Sequence, residues 1–336
     1  MATAGVGPAA LPYLRESEGT VVTRAPALLV LRGLGLGDVL TAVPALRALR
    51  RAHPRHRIAL AAPAVLTGLL PLIGAVDEVV DVRGPGPVPF HAPDIAVNLH
   101  GRGPESIRAL LATRPGRLLT HAHPEVPGSE GGPPWDPEAH EVRRWCSLLG
   151  WYGITADPGD LMLRRPGADG PGPCGEAEVI VHPGAAAGAR RWPPDRFARV
   201  AAELERRGRR VVITGGLHER ALAHGVCALA RLPADRMLAG LTGLPELAAL
   251  VGRAALVVCG DTGVSHLAAG LGTPSVVVCG PVSPVLSGPP DHPRHITLWA
   301  GRTGDPYGGV PGPGLLAIGV SEVLDAARQL LEVRAG

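Results

Sequence analysis

Ala27 to Leu31 is an unbroken apolar run, the pattern of a strand buried on both faces, and it ends in the glycine-rich turn Arg32 to Asp38, RGLGLGD. The period then becomes helical, with an amphipathic helix over Val39 to Arg51. Further short strands at Arg57 to Ala61, Glu78 to Val82, Asp94 to Leu99 and Arg117 to Thr120 alternate with helical or Gly/Pro-rich segments, which predicts a doubly wound half. His121 to Ala139 holds too much Gly and Pro for regular structure and reads as a mobile flap with Trp135 as its large apolar anchor. A helix over Ala139 to Leu149 follows, carrying Trp145 and Leu148 on one face.

A second Pro/Gly-rich stretch, Asp157 to Cys174, marks a domain boundary, after which the strand–loop–helix pattern restarts at Val179 to Val181. Strands at Arg210 to Thr214, Ala255 to Cys259 and Pro274 to Gly280, with a helix over Glu246 to Val251, complete a second α/β unit. The expected division is a flexible tail over 1–25, a Rossmann-like half over 26–160 and another over 161–336.

The most informative stretch is CGDTGVSHLAAGLGTPSVVVCGP, Cys259 to Pro281. A buried strand breaks into Asp261, Thr262 and Gly263 and then a compact helix of small residues. Asp261 or Thr262 suits an N-cap, and Gly263 lets the backbone approach a ligand closely. Such a helix start attracts phosphate, because its first N–H groups lack intrahelical partners and the macrodipole adds partial positive charge. His266 reads either as part of that site or as a satisfied histidine packed beneath it.

Composition narrows the chemistry. The chain has 336 residues, 46% hydrophobic and only 3% aromatic, with 46 Gly and 36 Pro, so small aliphatic packing and short loops build it. All 33 basic residues are Arg, which excludes Schiff-base lysines and the lysine of a P-loop. A net charge of +3 without basic–aromatic runs gives no nucleic-acid signal. Five cysteines without metal spacing suggest a reducing compartment, with Cys259 and Cys279 as buried hydrophobes rather than nucleophiles. The N-terminus lacks a signal-peptide pattern and no apolar run spans a bilayer, so a soluble or peripherally attached cytoplasmic protein is expected.

Candidate chemistry sits at strand ends. Gly33, Gly35 and Gly37 do not fit the dinucleotide fingerprint, which makes Asp38 the more informative residue. It reads as a helix N-cap or as a general base at the mouth of the first strand, and the roles are compatible. His100 and Arg102, after another strand on the same side, are candidate acceptor contacts, although a solvated loop fits them equally. Gly184 to Gly188 permits close backbone approach, and Arg190 or Arg191 is placed to clamp an anionic oxygen, with simple surface exposure as the alternative. Trp192 and Pro193 staple that loop to the next helix. Glu219 suits ribose hydroxyls, and the Gly240–Gly243 turn brings Thr242 to the same rim.

Taken in order, GLGLGDVLTAVPALRALR, HPGAAAGARRWPPDRF, ITGGLHERALA, LAGLTGLPELAALV and CGDTGVSHLAAGLGTP resemble glycosyltransferase family 9, the heptosyltransferases of lipopolysaccharide assembly. The resemblance covers nearly all of Ala27 to Pro281. It implies a GT-B architecture of two Rossmann-like domains facing across a cleft, with the acceptor in the N-terminal half and a nucleotide-diphosphate sugar, typically ADP-heptose, in the C-terminal half. It implies inverting transfer without metal or cofactor to a glycan or small-molecule hydroxyl. Asp38 becomes the base, and Asp261, Thr262, Gly263 and His266 the donor motif, joined by Gly184, Arg190, Glu219 and Thr242. One departure is Arg190, where the family often has Lys: the charge stays, but a planar fork replaces a point charge. A nucleotide-sugar epimerase or hydrolase on the same fold, and a non-catalytic nucleotide-sugar-binding protein, are the rival readings.

Overall fold

The computed structural model describes residues 25–166 and 178–333, so the expected tail over 1–24 and most of the Gly/Pro stretch from 167 to 174 lie outside the described residues. Two all-parallel sheets form. The first contains β1 (Ala27–Leu31), β2 (Arg57–Ala62), β3 (Glu78–Asp81), β4 (Ile95–Asn98) and β5 (Arg117–Leu119), in the order β3-β2-β1-β4-β5. The second contains β6 (Glu178–His182), β7 (Arg210–Ile213), β8 (Leu256–Gly260), β9 (Ser275–Cys279) and β10 (His295–Trp299), in the order β10-β9-β8-β6-β7. β1, β8 and β9 are buried along their whole length, as strands covered on both faces must be.

Helices of the first half are α1 (Leu36–Thr41), α2 (Val43–Ala52), α3 (Leu70–Ile73), α4 (Glu105–Ala112) and α5 (Glu141–Trp151). The second half adds α6 (Pro194–Arg206), α7 (Arg220–Leu229), α8 (Leu244–Arg253), α9 (Gly263–Leu271), α10 (Pro284–Ser287), α11 (Pro313–Ala317) and α12 (Val320–Val333). None of the described helices is long and apolar enough to cross a membrane.

The structure departs from expectation at α1, α2 and β10 among others, and the helices α11 and α12 after Pro281 were also not expected. The single helix expected over Val39 to Arg51 is two, because Pro44 has no N–H to continue the ladder and the chain restarts after Ala42. α1 also begins three residues early, at Leu36, so Asp38 is not the N-cap. It is the third helical residue, and its Oδ2 accepts the N–H of the true N-cap, Gly35, at 3.0 Å. β10 was not anticipated: its residues are all half-buried and its flanks are proline-rich, which masks the strand pattern.

In each sheet the order reverses beside the first strand, between β1 and β4 and again between β6 and β8. Loops leaving such neighbours diverge and open a crevice at the carboxyl ends of the strands. The two halves are held together mainly by helices. One apolar cluster runs from Leu28 and Val30 on β1 through Leu46 of α2 into Leu267 of α9 and Val277 of β9. At its edge α1 lies on α9 through Gly37 and Gly263, with the Leu36 and His266 side chains packed beside them. A Cβ on Gly37 would come 3.3 Å from the Gly263 Cα, and one on Gly263 would come 2.9 Å from the Gly37 nitrogen. A second interdomain contact is the His140 Nε2–H, donated to the Gly288 carbonyl at 3.2 Å, while Nδ1 accepts the Val142 N–H and caps α5.

Candidate active site between the two sheets

Arg32, the first residue after β1, is fully buried, which a guanidinium tolerates only when its donors are used. Nε donates to the Asp38 carbonyl at 2.8 Å, Nη1 to the Leu99 carbonyl, and Nη2 to Thr41 Oγ1 at 3.2 Å and to Glu141 Oε1 at 2.7 Å. Its face rests 4.8 Å from the Trp145 ring centre. One side chain thus joins the first turn of α1, the end of β4 and the start of α5. Burial would raise the Glu141 carboxyl, but Arg32 outweighs it and Glu141 is held below its ordinary value, hence ionised. Asp38 Oδ1 is 3.7 Å from the same Nη2, and 41% of its side chain is exposed.

His100 follows β4 beside this pair. Burial lowers its pKa, Arg32 adds to the effect and Asp38 opposes it, and its Nδ1 is buried without a partner among the described residues. Arg102, two residues on, is exposed. The 121–139 stretch has no helix or strand, and Trp135 is its anchor as expected, against His121 and Trp145 with ring centres 5.0 and 6.1 Å away and Arg144 at 4.3 Å.

Across the cleft, the loops after β6 and β8 carry the donor candidates. Asp261 is almost buried, and its Oδ2 accepts from Arg190 Nη1 at 3.0 Å. Asp261 therefore neither caps α9 nor stands free. Arg190 is not an unattached surface cation, while Arg191 braces its own loop through the Ala185 carbonyl at 2.9 Å. Thr262 occupies the N-cap position of α9 with extended backbone, yet its side chain makes no capping bond. His266, one turn along, is the hub between the halves. Burial lowers its pKa, while Asp261, Asp38 and Glu141 all pull it upward. Its ring also packs against the turn that carries Asp38, since a Cβ on Gly37 would lie 2.9 Å from His266 Cδ2.

The rim is built by close packing. The Glu219 carboxylate packs directly on the Gly184 backbone, where a Cβ would lie 2.1 Å from Glu219 Oε1 and the carboxylate would have to move. Glu219 Oε2 takes the Gly216 N–H at 2.7 Å and lies 3.8 Å from His182 Nε2, whose ring burial keeps neutral. The Gly240 N–H to Gly215 carbonyl bond, 2.9 Å, brings the turn with half-buried Thr242 alongside. Trp192 stacks edge-on to Phe197 of α6, the expected staple. Burial pushes the thiols of Cys259 and Cys279 far up, as for inert hydrophobes.

A cavity of about 1040 Å³ opens between the halves on the α5–α10 side, walled by Thr41, His140, Arg143, His266 and Asp291 among others. Asp38, Arg190 and Asp261 do not line it, and His266 is the residue common to the cavity and to that cluster. Sequence reasoning brought Asp38, His100, Asp261 and His266 to one crevice. It missed Arg32 and Glu141, although Arg32 opens the RGLGLGD turn and a lone Arg after a wholly apolar strand is a signal for a buried, fully bonded guanidinium.

Residues 164–304 match the model of glycosyltransferase family 9 (heptosyltransferase). No curated protein matches the sequence. Among solved structures, the glycosyl transferase family 9 from Veillonella parvula DSM 2008 is similar over 92% of this chain and 97% of its own, at 22% identity and a TM-score of 0.72. The E. coli ADP-heptose lps heptosyltransferase II is similar over 92% and 100%, at 20% identity and 0.70. E. coli heptosyltransferase WaaC with ADP is similar over 90% and 99%, at 19% identity and 0.65. These likenesses are of fold, the two-domain GT-B arrangement.

Proposed function

We propose that this chain, a glycosyltransferase whose residues 164–304 match the family 9 model, moves a heptose from ADP-heptose to a hydroxyl acceptor by a single inverting displacement that needs no divalent cation. The observation that supports this reading is the Gly37–Gly263 contact, which packs the turn carrying Asp38 against the start of α9, where the N-cap Thr262 makes no side-chain capping bond. An acceptor hydroxyl is a weak nucleophile at neutral pH. Asp38, with one oxygen on Gly35 and the other in a longer contact with Arg32, takes its proton as the oxygen attacks the anomeric carbon. The leaving diphosphate gains negative charge over the α9 start, where Thr262, Gly263 and the second fork of Arg190 receive it.

Asp261 and His266 serve the sugar, Gly184, Glu219 and Thr242 the nucleotide, and His100 and Arg102 the acceptor, a glycan or small molecule. Cytoplasmic residence, with at most peripheral membrane contact, belongs to the same reading and is supported by the free, buried Cys146, Cys227, Cys259 and Cys279.

The test is Asp38→Asn, assayed by ADP release from ADP-heptose against a panel of hydroxyl acceptors, with and without EDTA. Asn keeps an oxygen for the Gly35 N–H, so the melting temperature should hold while turnover falls on the order of 10²- to 10⁴-fold and ADP affinity is unchanged. Near-normal turnover in the variant would remove the base. Activity lost to EDTA and restored by Mg²⁺ would remove the metal-free mechanism, and free sugar released without any acceptor would favour the hydrolase.

A further inference from the structure

Glu141 lies outside the segment that matches the family model, yet it competes with Asp38 for one nitrogen. Arg32 Nη2 is 2.7 Å from Glu141 Oε1 and 3.7 Å from Asp38 Oδ1. We propose that Glu141 is a positioning residue for the base: by taking the buried Arg32 guanidinium it leaves Asp38 free to accept and hold a proton. This rests on Asp38 being the base.

A buried guanidinium beside a lone carboxylate stabilises the carboxylate and makes it a poor proton acceptor. Arg32 cannot turn away, since its Nε and Nη1 are fixed on the Asp38 and Leu99 carbonyls. The second carboxylate is therefore what offsets its charge. The arrangement also survives the proton transfer: when Asp38 becomes neutral, Arg32 stays paired through Glu141 rather than being left as an unbalanced buried cation. The other charged or titratable groups facing the pair are His100 after β4, His140 and Arg144 flanking the start of α5, and His266 with Asp261 from the α9 side. None of these accepts a hydrogen bond from Arg32 among the described residues, whereas Glu141 does.

The test is direct titration of the Asp38 carboxyl by ¹³C NMR in aspartate-labelled protein, its signal identified by its loss in Asp38→Asn. A like charge roughly 6 Å away in a half-exposed site, at an effective dielectric constant of about 40, moves a midpoint on the order of one pH unit. Glu141→Gln is therefore expected to lower the Asp38 midpoint by about that amount, with the acid limb of the pH–turnover profile moving down equally. Merely structural damage would lower turnover without moving either midpoint. Glu141→Met removes the same charge and supplies the same measurement should the Gln variant fail to fold. A midpoint that stays at the wild-type value, or rises, in either variant overturns the proposal. Retained turnover in Asp38→Asn would instead overturn the base itself, so the two failures are distinct.

Discussion

Gly263→Ala is the most direct test of how the two halves are joined. The added Cβ would lie 2.7 Å from Leu36 Cβ, 2.8 Å from Leu36 Cγ and 2.9 Å from the Gly37 nitrogen, where ordinary carbon contacts need about 3.5–4.0 Å. Two of these three atoms are fixed by backbone position, so rotating Leu36 relieves only one overlap. The helices α1 and α9 must separate by somewhat under 1 Å, at an overpacking cost of about 1–3 kcal/mol. In a chain of this size that lowers the melting temperature by roughly 1.5–4 °C. The functional effect should be larger, because a displacement near 1 Å between base and donor costs on the order of 10²-fold in rate. ADP affinity, measured by calorimetry, reads the second role of Gly263: a fall there as well as in rate would mean that the added Cβ also crowds the diphosphate at the start of α9. Gly225→Ala is the matched control. It sits in α7 with open space where its Cβ would go and should be neutral or stabilising by about 0.5–1 kcal/mol. Wild-type melting and turnover in Gly263→Ala would show that the Gly37–Gly263 contact does not set the distance between Asp38 and the donor helix.

Arg190→Ala should weaken ADP binding by about 1.5–3 kcal/mol by calorimetry, the worth of a charged hydrogen bond, and should also lower the melting temperature because nearly buried Asp261 loses its partner. Unchanged affinity would leave Arg190 as a brace for Asp261 alone. Stability should fall on acidification below neutrality. Burial is the leading cause that lowers His100, His121, His182, His266 and His295, the last to about 4. The unfolded chain takes up protons near 6.5 that the folded chain refuses, so stability is full above that value and drains as pH falls toward 4. A melting temperature that is flat from pH 7.5 to 5 would contradict this, and His295→Gln should reduce the slope.

Local signals in this chain were legible because they depend on neighbours in sequence. The unbroken apolar runs of β1 and β8 follow from burial on both faces, the Gly-rich turns from backbone conformation, and the helix starts at Asp-Thr-Gly and Trp-Pro-Pro from first-turn chemistry. The strand–helix alternation was enough for two Rossmann-like units and for the loops that face the cleft. Even there Asp38 slid from cap to third helical residue, since a helix boundary is decided by which carbonyl first finds a donor. What depends on partners distant in sequence was not legible. Arg32 meets Glu141 109 residues away, Arg190 meets Asp261 71 residues away, and Gly37 touches Gly263 only because two sheets pack through α1 and α9. Each of those contacts is a property of strand order and domain apposition together. A charge carries no mark of which opposite charge will reach it, so the electrostatics of the candidate site were decided by the tertiary structure alone.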